Sequence, residues 1–584
     1  MFLIHYQKIK KTIVSKSSLK NFLSCSSYQY TIQNKDAKMK IALAQLNYHI
    51  GNFTSNTAKI ITAIENARAQ QAEIIVFSEL AIGGYPAKDL LQNATFLKQC
   101  NESITTIASH CQDILCIIGA PIPNTDPEGK ALYNAAVCLE KGKITHISKK
   151  GLLPNYDVFD EYRYFEPSRK FACFTYKKTK IALTICEDLW DDDQGNNSYV
   201  GDPMNELLQE NPDLLINIAA SPFSYVHYQD RVAVLKAQVA KAKRPLIYVN
   251  QVGAHMDIIF DGRSLAIDEN GAICCELKKF EEDLQIIEYR DQTIKATTAF
   301  TVPHDQEIAL IHDALLLGLR DYFHKSGFKK AVLGLSGGLD SALVAALACE
   351  ALGSENVLAI LLPSIYSSDH SIQDALDLVK NTNCAHHIIP IKDITQAYET
   401  TLTPFFEGQQ AGVAEENIQA RTRGTLLMAI SNKFGHIVLN TSNKSEAAVG
   451  YGTLYGDMAG SISVIGDVYK SKAYDLARYI NRNKEIIPSN TIEKAPSAEL
   501  RPDQKDSDSL PPYDLLDEIL FLYIEKQKSK EEILDQGYDL NIVEKIIKLV
   551  NNAEFKRFQA PPILRISPKA FGPGRSMPLV AFYQ

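Results

Sequence analysis

Apolar residues recur along this chain in short runs separated by longer stretches of helical spacing. Residues 41–46, 73–77, 115–120, 134–139 and 143–147 read as strands. Residues 56–71 read as a helix whose apolar face carries Ile60, Ile61, Ile64 and Ala67. Further strands at 181–185, 214–218 and 246–250 extend the series, so the span to about residue 290 predicts one large α/β domain. A second unit opens with a helix over 305–324. Its strands at 331–335, 357–362, 387–391 and 437–440 each follow a helical stretch. That alternation predicts a parallel, doubly wound sheet, with ligands gathered at the carboxyl ends of its strands. The polar stretch 497–512 (SAELRPDQKDSDSLPP) predicts a long mobile loop. A helical pattern and a tail rich in basic residues, proline and glycine follow it, and no internal repeat is visible.

Composition sharpens the picture. A chain of 584 residues is too long for one ordinary domain. Its 45% hydrophobic and 22% charged residues are those of a soluble globular protein. A net charge of −8 argues against a nucleic-acid partner, and no apolar run is long enough to span a bilayer. The eleven cysteines show no C-x-x-C pair and no metal spacing with histidine, which predicts structural thiols in a reducing cytoplasm. The first 38 residues carry seven lysines, no arginine and one acid, Asp36. They predict a disordered extension or a start codon assigned upstream of Met39, rather than a transit peptide. The expected division is therefore 1–38, 39–290 and 291–584.

Ser336-Gly337-Gly338-Leu339-Asp340-Ser341 lies between an apolar strand and a helical pattern. Glycines let backbone approach a ligand closely, and unpaired N–H groups at a helix start favour an anion. Two serine hydroxyls can add donors, and Asp340 suits a phosphate carrying magnesium. The Walker pattern is absent. A tight turn without a ligand fits this segment alone equally well. The loop resembles the pyrophosphate loop of enzymes that split ATP into AMP and pyrophosphate.

Glu79, Lys150 and Cys186 stand at the ends of apolar runs or in an adjoining loop. A thiolate attacks, a carboxylate moves the proton, and an ammonium steadies the oxyanion of acyl transfer. Cysteine after a buried strand is more often packing, and Lys149 rivals Lys150. The words FSEL, KGLLPNY and ICEDLW occur in that order, and resemble those of nitrilase-type amidohydrolases. LPNYDVFDEYRYF is similar to the glutaminase domain of the glutamine-dependent NAD synthetases. The resemblance implies a four-layer αββα fold, with Glu79 as base, Lys150 as oxyanion stabiliser and Cys186 as nucleophile. It favours Lys150 over Lys149 by its offset from Leu153-Pro154. It implies glutamine held by Tyr156 and Ser221, with His227 where the family pattern has lysine. His227, Lys236 or Arg231 then meets the substrate carboxylate.

Further words follow in the family's order: LPSIYSS, EENIQAR, TSNKSE, GYGT, YGD, FKRFQAPP and AFGPGR. Singly, each fits a helix start, a cap or a solvated face; their joint order with the Ser336 loop supports the resemblance. It implies an adenine nucleotide alpha hydrolase-like second domain. ATP would be held by Gly334, Leu335, Ser336, Gly337, Gly338, Leu339, Asp340 and Ser341, with Thr441 and Lys470. It implies magnesium on Asp340 and Glu446, and deamido-NAD near Asn417, Glu446, Tyr451 and Lys556. The expected reaction amidates deamido-NAD with ammonia from glutamine, carried through a water-excluding tunnel and giving NAD, AMP and pyrophosphate. A homodimer is expected from the family. A GMP-synthetase-like or asparagine-synthetase-like enzyme is the nearest alternative, and a nitrilase-like scaffold fused to a nucleotide sensor lies in another class.

Overall fold

The structure, a computed structural model, describes residues 38–190, 199, 201–295 and 306–581. The expectation of a disordered extension falls on residues 1–38, which lie outside this range except for Lys38.

The amino-terminal half is built on two sheets. The first runs Thr293–Lys295, Asp283–Arg290, Met39–Gln45, Ile74–Val76, Leu115–Pro123, Leu132–Glu140, Lys143–Lys149. The second runs Ile273–Glu276, Leu265–Ile267, Leu246–Asn250, Leu214–Ala219, Thr179–Ile185, Phe174–Tyr176. Successive strand residues face opposite ways. Ile41 and Leu43 enter one core with Ile181, Leu183, Ile216 and Val249 of the other sheet. Ala42 and Ala44 enter a second core with Ile60 and Ile64 of helix Phe53–Ala69 and Ile104 of helix Ala94–Ser109. Helix His227–Ala242 covers the second sheet with Leu235 and Val239. The layers are thus αββα, as expected, and the first sheet continues to Lys295 rather than ending near 290.

The carboxyl-terminal half holds a five-stranded parallel sheet in the order Ala385–Ile388, Val357–Leu361, Ala331–Gly334, Ile437–Asn440, Ile462–Ser463. Helices Glu307–Lys325 and Leu339–Leu352 bury Leu315, Leu319, Leu343 and Leu347 on one face. Helix Val413–Phe434 packs Leu426, Leu427 and Ile430 on the other. The order reverses between Ala331–Gly334 and Ile437–Asn440, which opens a crevice there. The strand expected at 387–391 runs instead over Ala385–Ile388. Left-handed Asn383 ends the preceding helix, and Pro390 has no N–H for a sheet.

Residues 497–512, expected as a loop, contain no regular element beyond the short turn Asp506–Asp508. Two of their acids tie the segment to neighbouring chain. Glu499 accepts from the Ser368 and Ser371 hydroxyls at 2.8 and 2.7 Å, and Asp506 accepts from Tyr451 at 3.1 Å and Tyr513 at 2.9 Å. Most of the segment is still exposed, and these bonds pin it at Glu499 and Asp506.

Among the described residues, no helix is long and apolar enough to cross a membrane. Gly119 shows how tightly the first sheet is built, because a Cβ there would overlap the Leu80 nitrogen and the Glu79 backbone. Gly119→Ala is expected to lower stability by more than about 2 kcal/mol, through overpacking against main chain. Urea unfolding checks this; an unchanged midpoint contradicts the tight fit.

Candidate active sites

The first site forms where strands of the two sheets end. Ile74–Val76 runs on through Phe77 and Ser78 to Glu79, Lys150 directly follows Lys143–Lys149, and Cys186 directly follows Thr179–Ile185. Cys186 has φ of 43°, a region that side-chain-bearing residues rarely occupy. The chain turns there from strand into the short helix Cys186–Leu189, the kind of sharp corner that holds out a nucleophile.

Lys150 is wholly buried. Its Nζ donates to Glu79 Oε1 at 2.7 Å and to both Glu161 oxygens at 2.9 Å. Asn134 Nδ2 bridges the same carboxylates at 2.7 and 3.1 Å, and Tyr85 donates to Glu161 Oε1 at 3.0 Å. The Ala220 N–H donates to Glu79 Oε2 at 3.0 Å. Lys149 points elsewhere, its Nζ 3.7 Å from the centre of the Tyr133 ring. Burial alone would discharge Lys150, but Glu161 and Glu79 prevail and hold it well above its ordinary value. The Cys186 thiol is pushed well up by burial and then by Glu79, with Lys150 opposing. Burial first, and the neighbouring carboxylates after it, favour a resting sulfur that keeps its proton. A base must take that proton as the sulfur attacks.

Asp188 ties the lysine loop to the cysteine corner. Its Oδ1 accepts from the Gly151 and Leu152 N–H groups at 2.9 Å, and its Oδ2 from Ile185 at 3.1 Å.

Tyr156 and Tyr199 both donate to Glu187 Oε1 at 2.9 Å. Ser221 Oγ lies 3.2 Å from His227 Nε2, and the His227 ring stacks on Trp190 at 5.3 Å and 9°. Burial, with Arg231 and Arg565 nearby, lowers His227 to about 3, so its ring is neutral. Of the two alternatives to His227, Arg231 lies close by but is paired with Asp261 at 3.0 Å, and Lys236 is exposed. Glu161, Glu187, Asn134 and Trp190 escaped the sequence reading as site residues. Glu161 and Glu187 sat inside motifs already singled out, but nothing in the spacing showed that Glu161 folds back onto Lys150.

The second site is a cavity of about 640 Å3 at the crevice of the parallel sheet. Gly334, Leu335, Ser336, Gly338, Leu339, Asp340 and Ser341 line it, with Thr441 and Glu446 from the next strand end and Lys470. Gly337 takes φ of 81° and turns its bare α-carbon toward the Ser371 carbonyl, where a Cβ would clash. The serines brace the loop: Ser336 Oγ is 3.0 Å from Ser341 Oγ and accepts from the Gly338 N–H at 3.2 Å. Helix Leu339–Leu352 starts at Gly338 with no side-chain cap, leaving its first N–H groups for an anion. Lys470 Nζ meets Asp340 Oδ2 at 2.5 Å, and Asn443 Nδ2 donates to Asp340 Oδ1 at 3.3 Å. Burial and then Asp340 raise the Glu446 carboxyl well above its usual range, against Lys470.

Two carboxylates facing one ammonium in a nucleotide-sized cavity fit a hard divalent ion. No group of three His, Cys, Asp or Glu among the described residues could hold a metal alone. Asn417 accepts from Thr453 Oγ1 at 2.7 Å, and Lys556 Nζ donates to the Gly450 and Gly452 carbonyls at 2.8 and 2.7 Å. With Tyr451 on Asp506, these residues converge on one turn at 450–453.

Residues 40–299 match the carbon-nitrogen hydrolase family and residues 311–560 the NAD synthase family. Fold and sites together define a carbon-nitrogen hydrolase domain joined to a NAD synthase domain. The glutamine-dependent NAD(+) synthetase of Synechocystis sp. is 47% identical over 549 residues, covering 92% of this chain and 98% of that protein. The enzyme of that name from Aquifex aeolicus is 39% identical over 574 residues, covering 93% and 99%. The structure of the Acinetobacter baumannii glutamine-dependent NAD+ synthetase in complex with ADP matches with a TM-score of 0.74 at 38% identity, across 93% of this chain and 98% of that one. This chain belongs to the glutamine-dependent NAD(+) synthetase family.

Burial pushes Asp188 up from 3.8 to about 7 against its three N–H donors. Between those values the folded chain holds a proton that the unfolded chain lacks. This group therefore stabilises below pH 3.8, and its contribution is lost as pH rises through about 7. Asp188→Asn is expected to remove that slope. It should also cost about 1–3 kcal/mol, because an amide nitrogen cannot accept the N–H groups facing it. Urea unfolding across pH 4–8 measures both, and an unchanged slope defeats the assignment.

Proposed function

We propose that this chain forms NAD from deamido-NAD, ATP and glutamine using the two sites above. The observation that carries the reading is the pairing, in one chain, of the Cys186 corner beside Lys150 with an uncapped glycine loop at the crevice of a second sheet.

At the first site the Cys186 sulfur attacks the glutamine amide carbon while Glu79 takes the thiol proton. Lys150 steadies the oxyanion, Glu79 returns the proton to nitrogen, and ammonia leaves a thioester. Water then releases glutamate and restores the thiol. Glu161 holds Lys150 charged and in place. Tyr156, Ser221 and neutral His227 receive the substrate's polar end, with Glu187 suited to its ammonium.

At the second site the carboxylate of deamido-NAD attacks the α-phosphorus of ATP, and pyrophosphate departs. Ammonia attacks the adenylated carbonyl, and AMP leaves as NAD forms. The loop 334–341, Thr441 and Lys470 hold ATP; Asn417, Glu446, Tyr451 and Lys556 frame the dinucleotide. Asp340 and Glu446 would hold magnesium, whose charge offsets that of the leaving pyrophosphate.

Ammonia is a nucleophile only as the neutral molecule, so it needs a path away from bulk water. A largely apolar cavity of about 500 Å3 stands at the nucleotide end of such a path. It reaches Met256 and Asp257 of the first half, and it shares Ser442, Glu446 and Tyr451 with the nucleotide cavity. We further assign a domain division in the segment after Lys295, a cytoplasmic location in keeping with the free thiols, and a homodimer. Helix Lys392–Phe406 buries none of its residues, and Phe405, Val413 and Phe434 are exposed by 81%, 70% and 65%. These exposed apolar side chains, spread along the helix pair, suit contact with a second copy.

Cys186→Ala is expected to abolish glutamine use and to leave ammonia-supported NAD synthesis within about twofold of native, a change that marks the ammonia site as intact. Equal loss of both contradicts separate sites. Asp340→Ala should lower synthesis from either nitrogen source by more than about 100-fold, judged by the effect of removing a charge-stabilising group. Mass spectrometry of AMP, NAD and glutamate reads all three products. Phe405→Asp should shift the sedimenting species toward monomer; an unchanged species opposes the proposed interface.

A further inference from the structure

Two pairs of free cysteines meet through their thiols, Cys111 with Cys116 and Cys349 with Cys384, and the chemistry above uses neither. The first pair is sealed in the core between the first sheet and its helices, with no exposure at either residue. The second stands near the surface of the synthetase half, 9% and 6% exposed. Its chain neighbours Glu350, Asn383 and Ala385 are open to solvent.

The fold builds this second encounter. Cys349 lies in the last turn of helix Leu339–Leu352, which begins at the glycine loop. Cys384 follows left-handed Asn383, which ends helix Asp369–Thr382 and turns the chain into strand Ala385–Ile388. Both side chains enter the core that holds Leu343, Leu347, Leu378 and Val379. The Ser354 hydroxyl, just past the first helix, donates to the Thr382 carbonyl at 2.6 Å and fixes one helix end against the other. The Thr382 hydroxyl lies 3.4 Å from the Cys384 sulfur. The two thiols are unlike. The bond from Cys349 lowers the Cys384 thiol against burial, and Thr382 adds to it. That same bond, and then burial, raise Cys349. One sulfur carries charge while its neighbour keeps a proton, the pairing of an attacking with a resolving cysteine.

We propose that Cys384 and Cys349 form a peroxide-oxidisable pair, which closes reversibly to a disulfide and staples the end of helix Leu339–Leu352 to the turn after helix Asp369–Thr382. The Cys384 thiolate attacks one oxygen of a hydroperoxide. An S–O bond forms, the O–O bond breaks, and hydroxide or alkoxide leaves. The Cys349 sulfur then attacks the sulfenic acid. An S–S bond forms, the S–O bond breaks, and the departing hydroxide takes the Cys349 proton to become water. Two electrons pass from the sulfurs to the peroxide, and a dithiol returns them. A reducing cytoplasm accommodates such a bond, because it forms under peroxide and is reversed by thiols afterwards.

The test treats the folded full chain with hydrogen peroxide, alkylates the remaining thiols and maps cross-linked peptides by non-reducing mass spectrometry. A Cys349–Cys384 peptide is expected, and dithiothreitol should remove it, while Cys111 and Cys116 stay reduced. In Cys349→Ser, dimedone should trap Cys384 sulfenic acid at least about fivefold more than in native protein, because no second sulfur resolves it. Oxidised native protein should melt about 3 °C or more above Cys349→Ser treated alike, relative to their reduced forms, since the bond closes a loop of the unfolded chain. Native protein in which both thiols remain alkylatable overturns the proposal. Equal cross-linking of Cys111 with Cys116 also overturns it, since that marks unfolding rather than a site. Oxidation of Cys384 to sulfinic acid without a cross-link, or a midpoint that does not rise, does the same. These readouts follow sulfur and stability alone, so their outcome is separate from that of the function proposed above.

Discussion

An ammonium ion sealed from water has to be matched by carboxylates within hydrogen-bond reach, and this chain is organised around meeting that requirement. Lys150 sits between Glu79 and Glu161, Lys444 between Asp467 and Glu525, and Lys470 against Asp340 beside Glu446. Removing one partner would strand a buried charge, which costs far more than the pair itself contributes. Each cluster therefore locks together segments distant in sequence, and those segments carry the chemistry. Lys150 joins its own strand end to that of Glu79 and to the Glu161 turn. Lys444 and Lys470 join the glycine-loop region to the helices beyond residue 466.

The halves are joined by an apolar contact with polar ties around it. The hairpin formed by Val252–His255 and Ile258–Asp261 packs Val252, Ala254 and Ile259 into the core beside helix Glu307–Lys325. Around that apolar contact lie polar ties: Asp321 accepts from the Ala254 N–H at 2.7 Å and from Asn47, while Arg565 pairs with Asp157 next to Tyr156. The segment after residue 560 thus behaves as a strap between domains. Its proline- and glycine-rich composition suits chain that must follow two surfaces without forming an element of its own.

Much of this was legible in advance. Short apolar runs located the central strands, because a strand buried on both faces has little other composition open to it. The glycine loop was visible because only glycine tolerates φ of 81° against a carbonyl, as at Gly337. The edge strands Thr293–Lys295 and Phe174–Tyr176 were missed, and so was the inner strand Asp283–Arg290, since their half-exposed residues carry no strong period. In the loop 497–512, composition hid two tethers. Serine, aspartate and glutamate read as solvated, yet Glu499 and Asp506 spend their oxygens on Ser368, Ser371, Tyr451 and Tyr513.

Local order along the chain determined most of the central strands and helices, and the short words that hold Glu79, Lys150, Cys186 and Asp340. These depend on spacing and on backbone geometry within a few residues. Tertiary structure alone decided which charges meet. Glu161 reaches Lys150 across eleven positions, but Glu525 reaches Lys444 across 81 and Tyr225 reaches Glu525 across 300. Electrostatic partnership depends on distance in space and on exclusion of water, and neither is recorded in the spacing of residues along a chain.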